Sequence, residues 1–175
     1  MGLRKHYLVV DGYNIINDWE RLKEILSYSL EDAREALVGM IQSYAKIMNY
    51  SAIVVFDAYN NDEMVKEEEK SGVKVVYSGK NQTADSYIEK FMYDLNPVHE
   101  VTVATSDFML QRMVVSAGGS RMSARELEKE MEFSLSSNLK KVKMESEADR
   151  NHLFKSIDGD TIEKLKKIIR DPDQD

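Results

Sequence analysis

The sequence predicts an α/β domain in which a parallel sheet carries helices on both faces, followed by a helical C-terminal region. Short continuous apolar runs, typical of strands covered on both faces, alternate with longer segments whose apolar residues recur at helical spacing. Strands and helices in regular alternation form parallel sheets. Several predicted strands also end on or beside an aspartate. Because the carboxyl ends of parallel strands share one edge, these aspartates indicate a site there.

Four buried strands are predicted, at residues 7–10, 52–56, 73–77 and 101–105. Helices are predicted at residues 19–26, 33–48 and 83–95, and from residue 107 to residue 117, where two glycines end the helix. The polar stretch 60–70 is predicted to be a solvated helix closed by Gly72. Side chains that cap helices support this interpretation: Ser29 with Asp32, Thr83, and Ser123 with Glu126.

Composition excludes several classes of protein. The 175 residues suit a single core, and the absence of cysteine excludes disulfides, thiolate metal sites and a thiol nucleophile. No apolar run approaches the roughly 20 residues that cross a bilayer, and the polar start of the chain does not resemble a secretory signal. We therefore expect a cytoplasmic protein with no membrane partner. The net charge of −7 gives no global attraction for nucleic acid, so such a role needs local basic patches or metal ions.

Other α/β chemistries lack their motifs here. The chain has no Gly-x-Gly-x-x-Gly for a dinucleotide, no phosphate loop ending Gly-Lys-Ser/Thr, and no Gly-x-Ser-x-Gly nucleophile turn. The first strand ends Asp11-Gly12-Tyr13 and lacks the Asp-x-Asp of aspartyl phosphatases. No organic cofactor is therefore expected.

Four separate elements deliver an aspartate to the same predicted edge. Asp11 ends the first strand, Asp57 follows the second, Asp107 follows the fourth, and Asp85 lies in the first turn of the helix after the third. Taken singly, Asp85 and Asp107 are more often helix caps, and Asp57 is an ordinary turn residue. Taken together, crowded like charges raise one another's pKa values unless a cation binds, which favours a functional site.

The ligand chemistry indicates a hard cation. Carboxylate oxygens suit Mg²⁺ or Mn²⁺ and not zinc. Such ions hold a phosphodiester and lower the pKa of bound water, so metal-assisted hydrolysis of nucleic acid fits this set of residues. Gly12, directly after Asp11, is expected to let the backbone or a ligand come close.

Five ordered motifs, LVVDGYNII, IVVFDAYN, TADSYIEK, VATSD and SARELEKE, resemble the YacP-like NYN-domain proteins of the PIN-like nuclease group over about residues 7–132. The resemblance implies a PIN-like fold and a metal-dependent endoribonuclease that acts on single-stranded RNA in the bacterial cytoplasm. It also implies action on mRNA in association with the ribosome. We predict a nuclease domain at residues 1–143 and a helical extension at 144–175, packed on or beside it.

The resemblance also assigns site residues. Asp11, Asp85 and Asp107 match the family acids that hold the metal, and Asn14 matches the motif asparagine that orients Asp11 or a metal-bound water. Asp57 matches the family motif too, but ranks below the others as a direct ligand. Gln82 departs from the pattern, in which an acid often precedes Thr-Ala-Asp, and this puts a second metal site in doubt.

Candidate RNA contacts are fewer and have ordinary structural alternatives. Loops near the predicted edge carry basic residues that suit phosphates, or are simply surface charge, namely Lys80, Arg112, Arg121 and Arg125. Tyr13 and Tyr59 suit stacking on unpaired bases, or packing. Basic clusters suited to ribosomal RNA, or to helix surfaces, comprise Lys140, Lys141, Lys143, Lys164, Lys166, Lys167 and Arg170.

Two alternative functions remain open at this point. One is a non-catalytic RNA- or ribosome-binding module with an incomplete metal site, which Gln82 and the acidic net charge favour. The other is a PIN-like nuclease that acts on DNA.

Overall fold

In the computed structural model, residues 4–57, 65–79, 82–95 and 98–156 are described, with residues 147–156 described by backbone alone. The chain divides into two compact units, Met1–Leu135 and Ser136–Asp175. The first unit holds the sheet, and the second holds the end of the last described helix. The part of the predicted helical extension beyond residue 156 lies outside the described residues. The predicted domain boundary at residue 143 and the packing of the extension stay predictions.

A six-stranded, mostly parallel sheet forms the centre of the first unit, in the order β3-β4-β2-β1-β5-β6. Neighbouring strands are parallel except β3 and β4, which are antiparallel. β1 therefore lies at the middle of the sheet, between β2 and β5. The strands are β1 His6–Asp11, β2 Ser51–Phe56, β3 Lys66–Lys70, β4 Val73–Tyr77, β5 Glu100–Ala104 and β6 Ser120–Met122.

Helices cover both faces of this sheet, as predicted. Leu8 and Val10 belong to a core with α1, α2, α3 and the start of α6, whereas Val9 belongs to a second core with α4 and α5. The alternation follows from the period of two in a strand. The helices are α1 Gly12–Asp18, α2 Glu20–Leu26, α3 Leu30–Met48, α4 Ala84–Leu95, α5 Phe108–Ser116 and α6 Ala124–Ser156. Within the described part of the chain, no helix combines the length and the apolar composition needed to cross a membrane.

The predicted helix caps are confirmed. The Asp32 backbone N–H donates to Ser29 Oγ at 3.1 Å. Ser123 and Glu126 form a reciprocal capping box, since each backbone N–H donates to the other side chain, at 2.7 and 3.2 Å. The Ser86 N–H likewise donates to Thr83 Oγ1 at 3.2 Å. These local signals fix where α3, α4 and α6 begin.

The predicted helix at residues 60–70 is wrong over its second half. Lys66–Lys70 is the edge strand β3, paired antiparallel with β4, while residues 58–64 lie outside the described residues. Ser71 and Gly72, with φ of 53° and 82°, make a two-residue turn of the kind that joins hairpin strands. A run of Lys and Glu on an exposed edge strand discourages pairing with other chains, so the polar composition fits a strand as well as a helix.

Two further elements were not predicted. β6 has only three residues, of the sequence Ser-Arg-Met, and its pairing with β5 is what makes it a strand. α1 begins directly after β1, at Gly12, and has only seven residues. Both are short elements that depend on contacts made elsewhere in the fold.

Glycine is needed at position 12 for packing in the core, which the sequence did not indicate. A Cβ atom at this position would overlap the ring of Phe56, which is fully buried. The absent side chain therefore makes room for a core aromatic on β2, and the close approach of a ligand at Gly12 stays a prediction. This packing fixes the turn that follows Asp11.

We predict that Gly12→Ala lowers the free energy of unfolding by about 1–3 kcal/mol, because the Phe56 ring must move within a packed core. Gly39→Ala is the matched control. Gly39 is exposed inside α3, and a methyl group added there would meet open space, so alanine should stabilise by about 0.5–1 kcal/mol. Urea denaturation of both variants measures this. Equal effects of the two changes would contradict the packing argument.

Candidate active site

The four predicted aspartates all lie at the carboxyl edge of the sheet. Asp11 is the last residue of β1, and Asp57 directly follows β2. Asp107 precedes α5 after the end of β5, and Asp85 lies in the first turn of α4. β2, β1 and β5 are neighbours in the sheet, so three of these positions come from adjacent strands.

Asp11 is the buried member of the group, only 9% exposed. The pKa of Asp11 is raised to about 6, chiefly by burial and to a smaller extent by repulsion from Asp85 and Asp57. The Thr105 hydroxyl, which donates to Asp11 Oδ2 at 2.9 Å, opposes it by stabilising the charged form, as does the backbone amide of Asn14. Asp11 is therefore a carboxylate whose charge is costly without a positive partner.

Thr105 links Asp11 to Asp107 and is a residue that the sequence patterns did not indicate. It is fully buried, and its Oγ1 also accepts from the Asp107 backbone N–H at 3.1 Å. Gln111 Nε2 donates to the Thr105 carbonyl at 2.7 Å and holds the same loop from α5. The Thr-Ser-Asp motif drew attention to Asp107 alone. A threonine directly after a buried strand and before an acid was the signal that could have identified it.

Asn14 holds the loop that carries Asp107. Its side-chain Oδ1 accepts from the Ser106 backbone N–H at 2.6 Å, across 92 residues of sequence. Ser106 Oγ in turn accepts from the Ala124 N–H at the start of α6. The side-chain oxygen of Asn14 is thus used in joining α1 to the β5–α5 loop. The predicted role of Asn14 in orienting Asp11 or a water stays a prediction.

Asp57 and Asp107 each cap a helix. Asp57 Oδ1 accepts from the Ala84 N–H at 2.6 Å and from Ser78 Oγ at 3.2 Å, so it ties β2 to the start of α4. Asp107 Oδ1 accepts from the Leu110 N–H at 2.9 Å and caps α5. The cap considered for Asp107 is therefore present, whereas Asp57, which was considered as a turn residue, caps α4. For Asp57, engagement of the same oxygen by two donors agrees with its lower rank as a ligand.

Asp85 is the common neighbour of the other three. Partial burial raises the pKa of Asp85, and repulsion from Asp107 and Asp57 raises it further. Asp85 also repels Asp11 and contributes to the raised pKa there. Its side chain is still accessible to solvent and forms no capping hydrogen bond with a described residue, in contrast to the side chains of Asp57 and Asp107. Asp85 is thus the acid of this edge that is most available to a ligand.

The edge fits a hard divalent cation in its chemistry and only partly in its geometry. The donors are carboxylate oxygens that repel one another, as expected of a site for Mg²⁺ or Mn²⁺. Among the described residues, however, no three acids or histidines lie close enough together to bind one ion directly. Mg²⁺ keeps several waters and commonly takes only one or two carboxylates, so the donor set suits an ion held partly through water.

The positively charged side chain of Arg34 lies at the same end of the sheet. The guanidinium of Arg34, on α3, lies 5.3–5.8 Å from the ring centroids of Tyr13, Phe56 and Tyr77. Its Nε donates to the Tyr13 hydroxyl at 2.8 Å. Within the described ranges, Arg34 forms no ion pair with a carboxylate. The helical pattern of α3 indicated only packing, so nothing in the sequence pointed to this residue.

The predicted RNA contacts fall into four groups. Tyr13 is half-buried against Phe56 and Arg34, which leaves stacking on a base as a prediction. The three arginines Arg112, Arg121 and Arg125 are exposed, and Arg121 pairs with Glu126 at 2.7 Å. Lys80, Tyr59 and the basic residues beyond 156 lie outside the described residues. Lys140, Lys141 and Lys143 are exposed on α6.

We predict that Asp11→Asn stabilises the metal-free protein increasingly as pH rises from about 4 to about 7. The pKa of Asp11 rises from 3.8 to about 6 on folding, so the native state binds more protons and the parent loses stability as pH rises through that window. The advantage of the variant should reach up to about 3 kcal/mol, at about 1.4 kcal/mol per pKa unit. Urea denaturation in chelator, with Asp18→Asn as an exposed control, measures it. A stability difference that does not vary with pH would contradict this assignment.

Comparison with known proteins agrees with this architecture. The chain is 39% identical to YacP of Bacillus subtilis (strain 168) over 126 residues, which cover 71% of this chain and 74% of YacP. Its fold is similar to two crystal structures of Rae1 (YacP) from Bacillus subtilis. For one, a tryptophan-to-leucine mutant, the TM-score is 0.68 at 35% identity, with 80% of this chain and 82% of the other covered. For the second structure, the TM-score is 0.65 at 33% identity, with 94% and 95% covered. The family model of the YacP-like NYN domain matches residues 8–170, and the chain belongs to this family.

Proposed function

We propose that the protein is a metal-dependent endoribonuclease that hydrolyses phosphodiester bonds in single-stranded RNA. The observation that carries the proposal is the arrangement of Asp85, which repels Asp11, Asp57 and Asp107 at one edge of the sheet. Crowded carboxylates of this kind have a physical use when a cation binds among them. Membership of the YacP-like NYN family, whose fold is that of nucleases, supports the same function.

Asp11, Asp85 and Asp107 are the residues that would hold Mg²⁺ or Mn²⁺. When bound, the ion would neutralise charge on the phosphate and lower the pKa of an attacking water. The protein's own residues hold these acids in place. Thr105 holds the Asp11 carboxylate, and Asp57 anchors the start of α4 so that Asp85 projects at the edge.

RNA in single-stranded form suits the surroundings of this edge. Sequence-tolerant binding of unpaired strands uses aromatic faces and basic side chains, and both kinds are exposed near Asp107. The net charge of −7 means that free RNA should bind weakly and that its affinity should fall as salt rises. We propose that association with the ribosome makes cleavage of mRNA efficient, because the ribosome would hold the mRNA at the site, which the weak affinity for free RNA does not.

A non-catalytic RNA- or ribosome-binding module is the second candidate. The observation that favours it is that no three acids among the described residues are gathered into a direct metal site. Gln82, half-buried in the loop before α4, lacks the acid that the family pattern often has there. The remaining alternative, a nuclease that acts on DNA, differs from the main proposal only in its substrate.

We predict that Asp85→Asn reduces Mn²⁺-dependent cleavage of an unstructured RNA by at least about 100-fold, because it removes the most available acid from the edge. Asp94→Asn, the same chemical change at an exposed position near the end of α4, should retain the parental rate. Single-turnover cleavage of end-labelled RNA, in Mn²⁺ and in chelator, gives both rates. A parent that fails to cut RNA under any metal condition would favour the binding module, and cleavage of single-stranded DNA at an equal rate would favour the DNA nuclease.

A second prediction concerns the C-terminal lysines, which belong to the sequence outside the described residues. Reversing Lys164, Lys166 and Lys167 to Glu should slow cleavage of ribosome-bound mRNA far more than cleavage of naked RNA, because the change affects docking and not the acids. Reversing Lys46, Lys90 and Lys129, which are exposed and belong to neither basic cluster, is the matched control and should leave cleavage of ribosome-bound mRNA at the parental rate. Equal cleavage of ribosome-bound mRNA by the parent and the triple variant would end this docking role.

A further inference from the structure

We infer that a groove between α5 and β6 binds the RNA nucleotide next to the cleaved bond, with its base stacked on Phe108 and a backbone phosphate on Arg112. The inference rests on the proposed function and adds a specific subsite to it. It assigns a role to Phe108, an exposed aromatic that packing does not explain.

The groove begins at the candidate site. It has a volume of about 390 Å³ and is lined by Phe108, Gln111, Arg112, Val115, Ser116 and Arg121. Phe108 is the residue after Asp107, and Gln111 donates to the carbonyl of Thr105, whose hydroxyl holds Asp11. One wall of the groove is therefore part of the same hydrogen-bonded network as the acids. Its size is within the range of pockets that hold small ligands.

The lining combines exposed apolar surface with positive charge. Phe108 is 67% exposed and Val115 is 58% exposed, although both lie on a helix whose other face is packed in the core. The Arg112 guanidinium lies 5.8 Å from the Phe108 ring centroid, one turn further along α5. Among the described residues Arg112 has no carboxylate partner, whereas Arg121 on β6 pairs with Glu126.

This chemistry favours an unpaired nucleotide as the occupant. An aromatic face suits a base, and an arginine without an acidic partner suits a phosphate. β6 is the edge strand of the sheet, so no further described strand lies beside the groove on that side. Because the groove begins at Phe108, beside Asp107, and none of the candidate acids lines it, it fits a nucleotide beside the cleaved bond and not the reacting phosphate.

In the test, every variant is made in the Asp85→Asn background, which serves as the parent, so that RNA is bound and not cut. Fluorescence anisotropy of a short, labelled, unstructured RNA at low salt gives the Kd. In this background Phe108→Ala should weaken binding by about 5- to 150-fold, the range for loss of one stacked base, and Phe108→Tyr should restore it. Arg112→Ala should weaken binding and reduce the slope of log Kd against log salt by about 0.7, as for one phosphate contact on a single strand.

Matched controls lie on the opposite face of the sheet. Tyr28→Ala removes an aromatic that is 70% exposed, and Arg21→Ala removes an exposed arginine on α2. Both should leave the Kd within about twofold of the parent, since neither residue is near the groove. Thermal unfolding of each variant checks that these surface changes leave the fold intact.

The outcomes separate this inference from the proposed function. If the chain cuts RNA but Phe108→Ala binds it as tightly as the parent, the groove assignment is wrong and the nuclease proposal stands. If the chain never cuts RNA but the groove variants still weaken binding selectively, the nuclease proposal fails and the groove stands as an RNA site. Equal losses of RNA affinity in the groove and control variants, or no RNA binding by the Asp85→Asn parent, would overturn the inference.

Discussion

Burial of the Asp11 carboxylate at the end of the central strand constrains the structure around it. β1 lies between β2 and β5, so its last residue is covered by neighbours, and its charge has lost most of its contact with water. The fold compensates with the Thr105 hydroxyl, which itself is held by the loop before α5. Asp85 and Asp57 nearby increase the cost. A bound cation would offset the energetic cost of a buried acid with acidic neighbours.

The capping bonds at this edge do not compete with a functional role. Asp57 fixes the start of α4, and α4 presents Asp85; Asp107 fixes the start of α5, and α5 supplies Gln111 to the loop that holds Asp11. Each cap thus positions another member of the site. The same carboxylates stabilise helix ends and place negative charge at the edge, so a structural role for one acid is part of how the group is assembled.

Much of this arrangement was predictable from local patterns. Buried strands are indicated by continuous apolar runs, and capping residues such as Ser29 and Ser123 have short-range signatures that the structure confirms. What could not be predicted depends on distant contacts. Lys66–Lys70 is a strand only because β4 pairs with it, and Thr105 meets Asp11 across 94 residues. Gly12 is required by a ring on another strand, and Arg34 reaches the edge from a helix whose pattern indicated only packing.

The central claim is that the carboxyl edge of this sheet binds a divalent metal ion, with Asp85 as its most accessible ligand. The most direct measurement is an anomalous difference map from crystals grown with Mn²⁺. We expect a peak at this edge, in contact with Asp85 directly or through water and adjacent to Asp11 and Asp107. A map without a peak there at saturating Mn²⁺, or with peaks only at unrelated surface carboxylates, would contradict the claim.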